Sequence, residues 1–324
     1  MEFRRELHLR PFPEQINIRQ KLMLLGSCFT DKLGDRLAQH RFTTLQNPNG
    51  ILFNPVSIAN AVASYISGNS YGTEDIFLAD EHWTSWDHHS LFSHQDPQRL
   101  LDRINQSVRE AHHFLNDADW LILTLGSAWV YQLDDGRVVA NCHKVPADRF
   151  RKTLMPVEDV LSSLDNMIHR LSLFNPRIRI VFTISPVRHL RDGFIENNRS
   201  KAVLIQAVHH LVNKFNRLHY FPAYELVIDD LRDYRFYAED MVHPNYLATD
   251  YVWQKFREAC IDEPSARFMK DIAPVNAALA HKPFFPDSMA HRNFRKKMYE
   301  KILALKAAYP FADLEKDLEA FRDQ

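Results

Sequence analysis

The sequence predicts an α/β protein built on a doubly wound parallel sheet of five strands, with helices on both faces. Short apolar or β-branched runs alternate with longer segments of helical periodicity, the pattern of βαβ crossovers. Glycine is scarce, 8 in 324 residues, and Gly26, Gly50 and Gly126 each fall at or just past the end of such an apolar run. The chain is 45% hydrophobic and 25% charged, enough to bury a sizeable core.

The expected strands, in order, are Leu22–Leu25, Arg41–Leu45, Trp120–Leu125, Ile178–Ile184 and Glu225–Ile228. Phe29, Leu33 and Leu37 recur every four residues straight after the first of them. Leu100, Leu101, Ile104, Val108, Ala111 and Leu115 form a stripe before the third. Val157, Val160, Leu161, Leu164, Met167, Ile168 and Leu171 form another before Pro176, and Leu204, Ile205, Val208, Leu211, Val212 and Phe215 a last one before the fifth strand. The connection 47–119 is too long for one crossover helix and carries the aromatic, histidine-rich run Glu81–Ser90. Residues of about 51–118 therefore read as an insertion after the second strand, folded over one end of the sheet. Beyond residue 263 only helical pattern remains, with Asp287 or Ser288 as the N-cap of a Lys/Arg-rich amphipathic helix. The expected division is a main domain, 1–262, and a helical C-terminal extension, 263–324, packed on the core.

Lys plus Arg number 40 and Asp plus Glu 41, so the bulk field that attracts nucleic acid or anionic membrane is absent, although local basic patches stay open. No segment approaches the roughly 20 apolar residues of a membrane span, and 1–20 holds no signal-like apolar run. Cys28, Cys142 and Cys260 are isolated, which argues against a disulfide framework or a zinc ribbon. These features lead to the expectation of a soluble, cytoplasmic protein with no nucleic-acid or membrane partner, no cofactor and no metal.

In an open parallel sheet, ligands bind outside the carboxyl ends of the strands. Gly26-Ser27-Cys28-Phe29 follows the first strand, Asn47-Pro-Asn49-Gly50 the second, Gly126-Ser127 the third and Ser185-Pro-Val-Arg188-His189 the fourth. The loop after the fifth reaches Asp240-Met-Val-His243-Pro244. Hydroxyl, imidazole, carboxylate and amide groups thus converge on one edge. A serine hydroxyl needs an imidazole to take its proton, and the imidazole needs a carboxylate to fix its tautomer. Asp240 and His243, three apart, can meet across a tight turn, and a serine at a strand-to-helix turn has free helical amides nearby.

Leu25-Gly26-Ser27-Cys28-Phe29 resembles the signature of GSCFA-domain proteins, which belong to the SGNH/GDSL hydrolase superfamily. Thr124–Tyr131, Ser185–His189 and Asp240–Pro244 are also similar to that family's segments. The resemblance spans nearly the whole chain and implies the SGNH-type, flavodoxin-like form of the doubly wound sheet. It also implies Ser27 as nucleophile, His243 as base and Asp240 as the carboxylate that orients it. The oxyanion donors it implies are the amide of Ser27, Gly50 and a third block that here reads Gly126-Ser127-Ala128, where the superfamily has an asparagine. Losing one such donor costs roughly 10²–10³ in rate. Asn49, Trp129, Ser185, Arg188, His189, His88 and His89 are the expected substrate-binding residues.

Plainer readings stand beside these. Ser27 alone fits a helix N-cap, and Cys28 at the same helix start is a rival nucleophile. His82, His88, His89 and His94 are a possible metal set, but 17 histidines cluster by chance and no HExxH-type spacing is present. Trp83 and Trp86 either stack on sugars or pack a satellite cluster. The leading expectation is hydrolysis of an O-acyl ester, such as an acetyl ester, of a carbohydrate or small polar molecule. Acyl transfer by the same site and a non-catalytic binding module are the alternatives.

Overall fold

Both sides of Leu22–Leu25 are apolar, so the run is satisfied only between two helical layers. The structure, a computed structural model that describes residues 5–322, places it there. Strand β1 (Lys21–Gly26) is followed by α1 (Cys28–Gln39) and β2 (Thr43–Gln46). Next come α2 (Pro55–Ser67), the hairpin of β3 (Phe77–Ala79) and β4 (His82–Thr84), α3 (Pro97–Asp117) and β5 (Trp120–Leu125). A small antiparallel sheet of β6 (Trp129–Gln132), β7 (Val138–Val139) and β8 (Arg151–Leu154) precedes α4 (Val157–Phe174) and β9 (Arg179–Ile184). Helix α5 (Gly193–Lys214) leads to β10 (Leu218–Phe221), α6 (Ala223–Glu225) and a π-helical turn over Leu226–Leu231. Helices α7 (Tyr246–Cys260), α8 (Glu263–Ala280), α9 (Met289–Ala308) and α10 (Glu315–Phe321) follow. Residues 1–4 and 323–324, the outer ends of the two expected divisions, lie outside the described residues.

The main sheet is parallel throughout, in the order β10-β9-β5-β1-β2. Sequence order reverses between β1 and β5, which is where a doubly wound sheet opens its ligand crevice. Leu22, Leu24, Trp120, Ile122 and Val181 enter one buried cluster with residues of α1, α7 and α8. Met23, Leu25, Leu121, Leu123 and Phe182 enter the other, with α2, α4 and α5. Phe268, Ile272, Val275, Ile302, Leu305 and Leu318 of the last three helices belong to the first cluster, and Asp317 pairs with Arg41 at 2.6 Å. The helices beyond 263 therefore share a core with the sheet.

One strand differs from expectation. Glu225–Ile228 is helical, and the edge strand is Leu218–Phe221 instead. Leu226 and Val227 are both fully buried as consecutive residues of a helical turn, whereas a strand would send one of them to the opposite face. In β10 the buried residues are Leu218 and Phe221, with half-buried His219 and Tyr220 between them, so no clean apolar run marks it.

Candidate active site

Glycine at 26 has φ +147°, and a Cβ there would lie 2.3 Å from the Thr124 carbonyl oxygen, so only glycine lets β1 end this close to β5. Its N–H donates to Asn47 Oδ1 at 2.8 Å, and Asn47 Nδ2 donates to Asp31 Oδ1 at 2.6 Å. One side chain thereby ties the end of β1 to the first turn of α1. Ser27 comes next, 6% exposed, as the N-cap of α1, with its Oγ accepting the Phe29 N–H at 3.3 Å. Accepting that bond leaves the hydroxyl proton free for donation.

Ser27 faces a cavity of about 120 Å³ at the reversal point of the sheet. Gly126 and Ser127 line it from the end of β5, and Ser185, Val187, Arg188 and His189 from the end of β9. Cys28, Ile51 and Phe53 complete the wall. Five expected site residues, Gly126, Ser127, Ser185, Arg188 and His189, are thus gathered around the expected nucleophile.

The Asp240–His243 pair is formed. Asp240 Oδ2 lies 2.7 Å from His243 Nδ1, and Oδ1 accepts the N–H groups of Val242 and His243 at 2.9 and 3.0 Å. The His243 amide and ring, then the Val242 amide, hold the carboxyl down at about 2. With the carboxylate at Nδ1, the proton belongs there and Nε2 is left as the acceptor. The Arg188 N–H donates to the Val242 carbonyl at 3.2 Å, joining this loop to the one that lines the cavity. Both side chains of the pair are half exposed and stand outside the cavity wall. Among the described residues no hydrogen bond joins His243 to Ser27.

The four expected oxyanion amides are all donated elsewhere. Ser27 N–H goes to Thr124 O at 3.2 Å, Gly50 N–H to Asn47 O at 2.7 Å, and Gly126 and Ser127 N–H both to Phe53 O at 2.8 and 3.1 Å. Backbone pairing and a tight turn consume the donors that the family resemblance implied. In the first turn of α1, the Phe29 N–H goes to Ser27 Oγ at 3.3 Å and the Thr30 N–H to Ser27 O at 2.8 Å.

Several expected binding residues lie away from the cavity. Asn49 is 1% exposed, donating to Asp87 O at 3.1 Å and accepting the Tyr65 hydroxyl at 2.8 Å, so it stitches the interior. His88 is fully buried against Tyr71 and Phe92, and burial pushes its imidazole down to about 3. His89 accepts the Leu91 N–H and packs on Gly50, where its Cβ would lie 2.4 Å from an added methyl. Trp129 donates to Glu196 O at 3.4 Å and carries Lys152 over its ring. No residue of Glu81–Ser90 lines the cavity: Trp83 packs beside a cluster of Ile76, Leu100, Leu101, Ile104 and Val108, and Trp86 stacks on Phe77 at 3.8 Å. The Glu81–Ser90 run thus packs at a satellite core rather than over this pocket, whereas Ile51 and Phe53, at the start of the expected insertion, line the wall, and α2 packs on the main core. His82 Nδ1 lies 2.8 Å from Asp80 O and His94 accepts the Asp96 N–H, so these rings serve their own turns. Among the described residues no three His, Cys, Asp or Glu side chains are grouped as a metal site.

Burial and the nearby Asp31 push the Cys28 thiol up, which opposes the thiolate a rival nucleophile needs. Two further groups matter. The His189 imidazole lines the cavity, and burial holds its pKa down, which favours the neutral ring. Lys201 of α5, 1% exposed, donates from Nζ to Gly126 O at 2.7 Å and Ser185 O at 2.6 Å, tying together the two strand ends that form the wall. Its sequence signal was a lone cation on the buried stripe of Leu204, Val208 and Leu211.

The model of the GSCFA family matches residues 21–256, and that of the GSCFA domain protein C-terminal domain matches 272–324. No curated protein matches the chain. Similar solved structures include a carbohydrate esterase family 3 protein from Talaromyces cellulolyticus, with TM-score 0.36 and 9% identity over 78% of this chain and 100% of that one. An acetyl esterase mutant with acetate ion gives the same figures, TM-score 0.36 and 9% identity over 78% and 100%. An acetyl xylan esterase from the rumen bacterium Butyrivibrio proteoclasticus gives TM-score 0.28 and 12% identity over 74% and 64%.

Proposed function

The chain belongs to the GSCFA family, and we propose that it is an SGNH-type serine hydrolase cleaving a short O-acyl ester of a carbohydrate or small polar molecule. The observation that carries this reading is the preformed Asp240–His243 pair on a loop hydrogen-bonded to the wall of the Ser27 cavity. In the proposed reaction Ser27 Oγ attacks the acyl carbon and its proton passes to His243 Nε2. That proton then goes to the leaving alcohol, and water, activated by the same imidazole, releases the acid and regenerates Ser27. Catalytic hydrogen bonds of this kind commonly tighten only when substrate binds, and His243 must close on Ser27 in that way. A cavity of about 120 Å³ favours a short acyl group, since sites for drug-sized ligands start near 300 Å³. Covalent labelling by a fluorophosphonate, with the modified residue mapped, tests the reading.

The dyad gives a pH prediction. Asp240 stays ionised down to about pH 2, so it does not set the acid limb of kcat/KM. Asp240→Asn is expected to lower kcat by roughly 10²–10⁴ with little change in KM, because the amide favours the wrong imidazole tautomer. His243→Gln is expected to match that loss, whereas His189→Gln retains most activity. If His189→Gln is the inactive one, the roles are reversed and His189 is the base.

The satellite core gives another. His88→Gln removes a fully buried ring and is expected to cost about 1–3 kcal/mol of stability. With His89→Gln added, the kcat/KM ratio between a bulky acylated sugar and a minimal acetyl ester should stay constant. An altered ratio with unchanged melting temperature would return this segment to the substrate site.

A non-catalytic binding reading has one observation in its favour, the engagement of all four expected oxyanion amides. It expects binding of an acylated saccharide without turnover of any acetyl ester.

A further inference from the structure

The three most exposed large apolar side chains among the described residues all lie where α8 passes to α9: Phe284 at 94%, Met289 at 78% and Phe285 at 77%. Lone exposed apolar residues are ordinary, but an adjacent aromatic pair projecting between Pro283 and Pro286 is not. The inner faces of both helices are already filled by Phe268, Ile272, Val275, Ile302 and Leu305, so the pair has no place in this core.

A second feature borders the same loop. A surface cavity of about 680 Å³ begins at Pro286 and Asp287 and is lined by Arg292, Arg295, Lys296 and Arg322, with Asp287 and Glu319 as its only carboxylates. Arg292 donates to Asp287 O at 3.1 Å and Arg295 to Arg322 O at 2.9 Å, so backbone carbonyls hold two guanidinium groups in position. No carboxylate forms an ion pair with any of the four cations among the described residues.

We infer that the Phe284–Phe285 loop and the basic cavity beside it form one docking surface for an anionic phospholipid bilayer, the rings entering the interface while Arg292, Arg295 and Lys296 meet headgroup phosphates. Aromatic insertion and basic attraction are each weak alone and suffice together for peripheral attachment. A second copy of the chain is the poorer occupant, because a two-fold contact through this face sets the same cations against one another. No helix of the described residues is long and apolar enough to cross a membrane, which fits attachment at the surface. The near-neutral net charge argued against a membrane partner for the chain as a whole, and this surface is a local exception to it.

The test uses the full chain in vesicle flotation, with phosphatidylcholine alone and with added phosphatidylserine. Anionic vesicles should bind at least about tenfold more protein, and the difference should shrink with salt. Phe284→Asp with Phe285→Asp should lower binding by about tenfold or more without changing the melting temperature, since both side chains are exposed. Arg292→Gln with Lys296→Gln should abolish the preference for phosphatidylserine. Absence of binding to either vesicle, or binding that the phenylalanine variant leaves intact, overturns the proposal. So does full competition by inorganic phosphate at matched phosphate concentration, which marks a free-anion site. A dimer dissolved by the phenylalanine substitutions, with no flotation, assigns the face to self-association instead.

Discussion

Ser27→Ala is expected to lower kcat/KM by at least ~10³ and to abolish fluorophosphonate labelling, with the fold retained. The fold should survive because the lost N-cap bond to the Phe29 N–H is worth about 1 kcal/mol and the N–H of residue 27 still pairs with Thr124 O. Cys28→Ala is the control. Its thiol is raised by burial and by Asp31, so removing it should leave labelling intact. Labelling kept in the Ser27 variant and lost in the Cys28 variant reverses the assignment. Normal turnover in both removes the reaction from this crevice.

The crevice was legible because its position follows from strand ends, and strand ends follow from short apolar runs. Trp120–Leu125 is bounded as expected, and β1 and β9 begin or end within a residue of expectation. Each run is apolar on both faces, which little but a central parallel strand accommodates. The edge was not legible: His219 and Tyr220 interrupt β10, while Leu226, Val227 and Ile228 imitate a strand on a helical turn. The antiparallel β6–β8 unit also escaped, since its strands run only two to four residues, too short for a periodic pattern.

Inside the site, residue positions were more legible than residue roles. Ser127, Ser185, Arg188 and His189 reach the cavity because they directly follow β5 or β9. Asn49 and Gly50 follow β2 in the same way, yet the loop there turns inward: Asn49 is anchored by Tyr65, and Gly50 closes a turn onto Asn47. Which amides remain free depends on hydrogen-bond partners far apart in sequence, such as Phe53 with Gly126 and Ser127, and no local pattern encodes that.

Lys201→Met is expected to separate stability from activity as pH changes. Burial pushes the Lys201 ammonium down to about 7, whereas an unfolded lysine keeps its proton to about 10.4. Between those values the unfolded chain binds more protons, so this residue makes stability rise with pH, by up to about 1.4 kcal/mol per unit. Below about 7 the cost of the buried charge is fully present. Methionine has similar length and no charge, so the variant lacks that slope, but it leaves the Gly126 and Ser185 carbonyls without a donor, at about 1–3 kcal/mol each. Relative to the variant, the parent protein should therefore gain roughly 2–3 kcal/mol between pH 6 and pH 9. A neutral amine still offers two N–H donors for the two carbonyls, so the tie survives deprotonation and is no switch. Activity should accordingly fall in the variant at every pH, with kcat reduced more than KM is raised, because Gly126 and Ser185 lose their common anchor. Denaturation midpoints for both proteins at pH 6 and 9, beside kcat and KM at each, decide the matter. A stability gap independent of pH means the lysine stays charged throughout, and unchanged kcat means the tie does not serve the pocket.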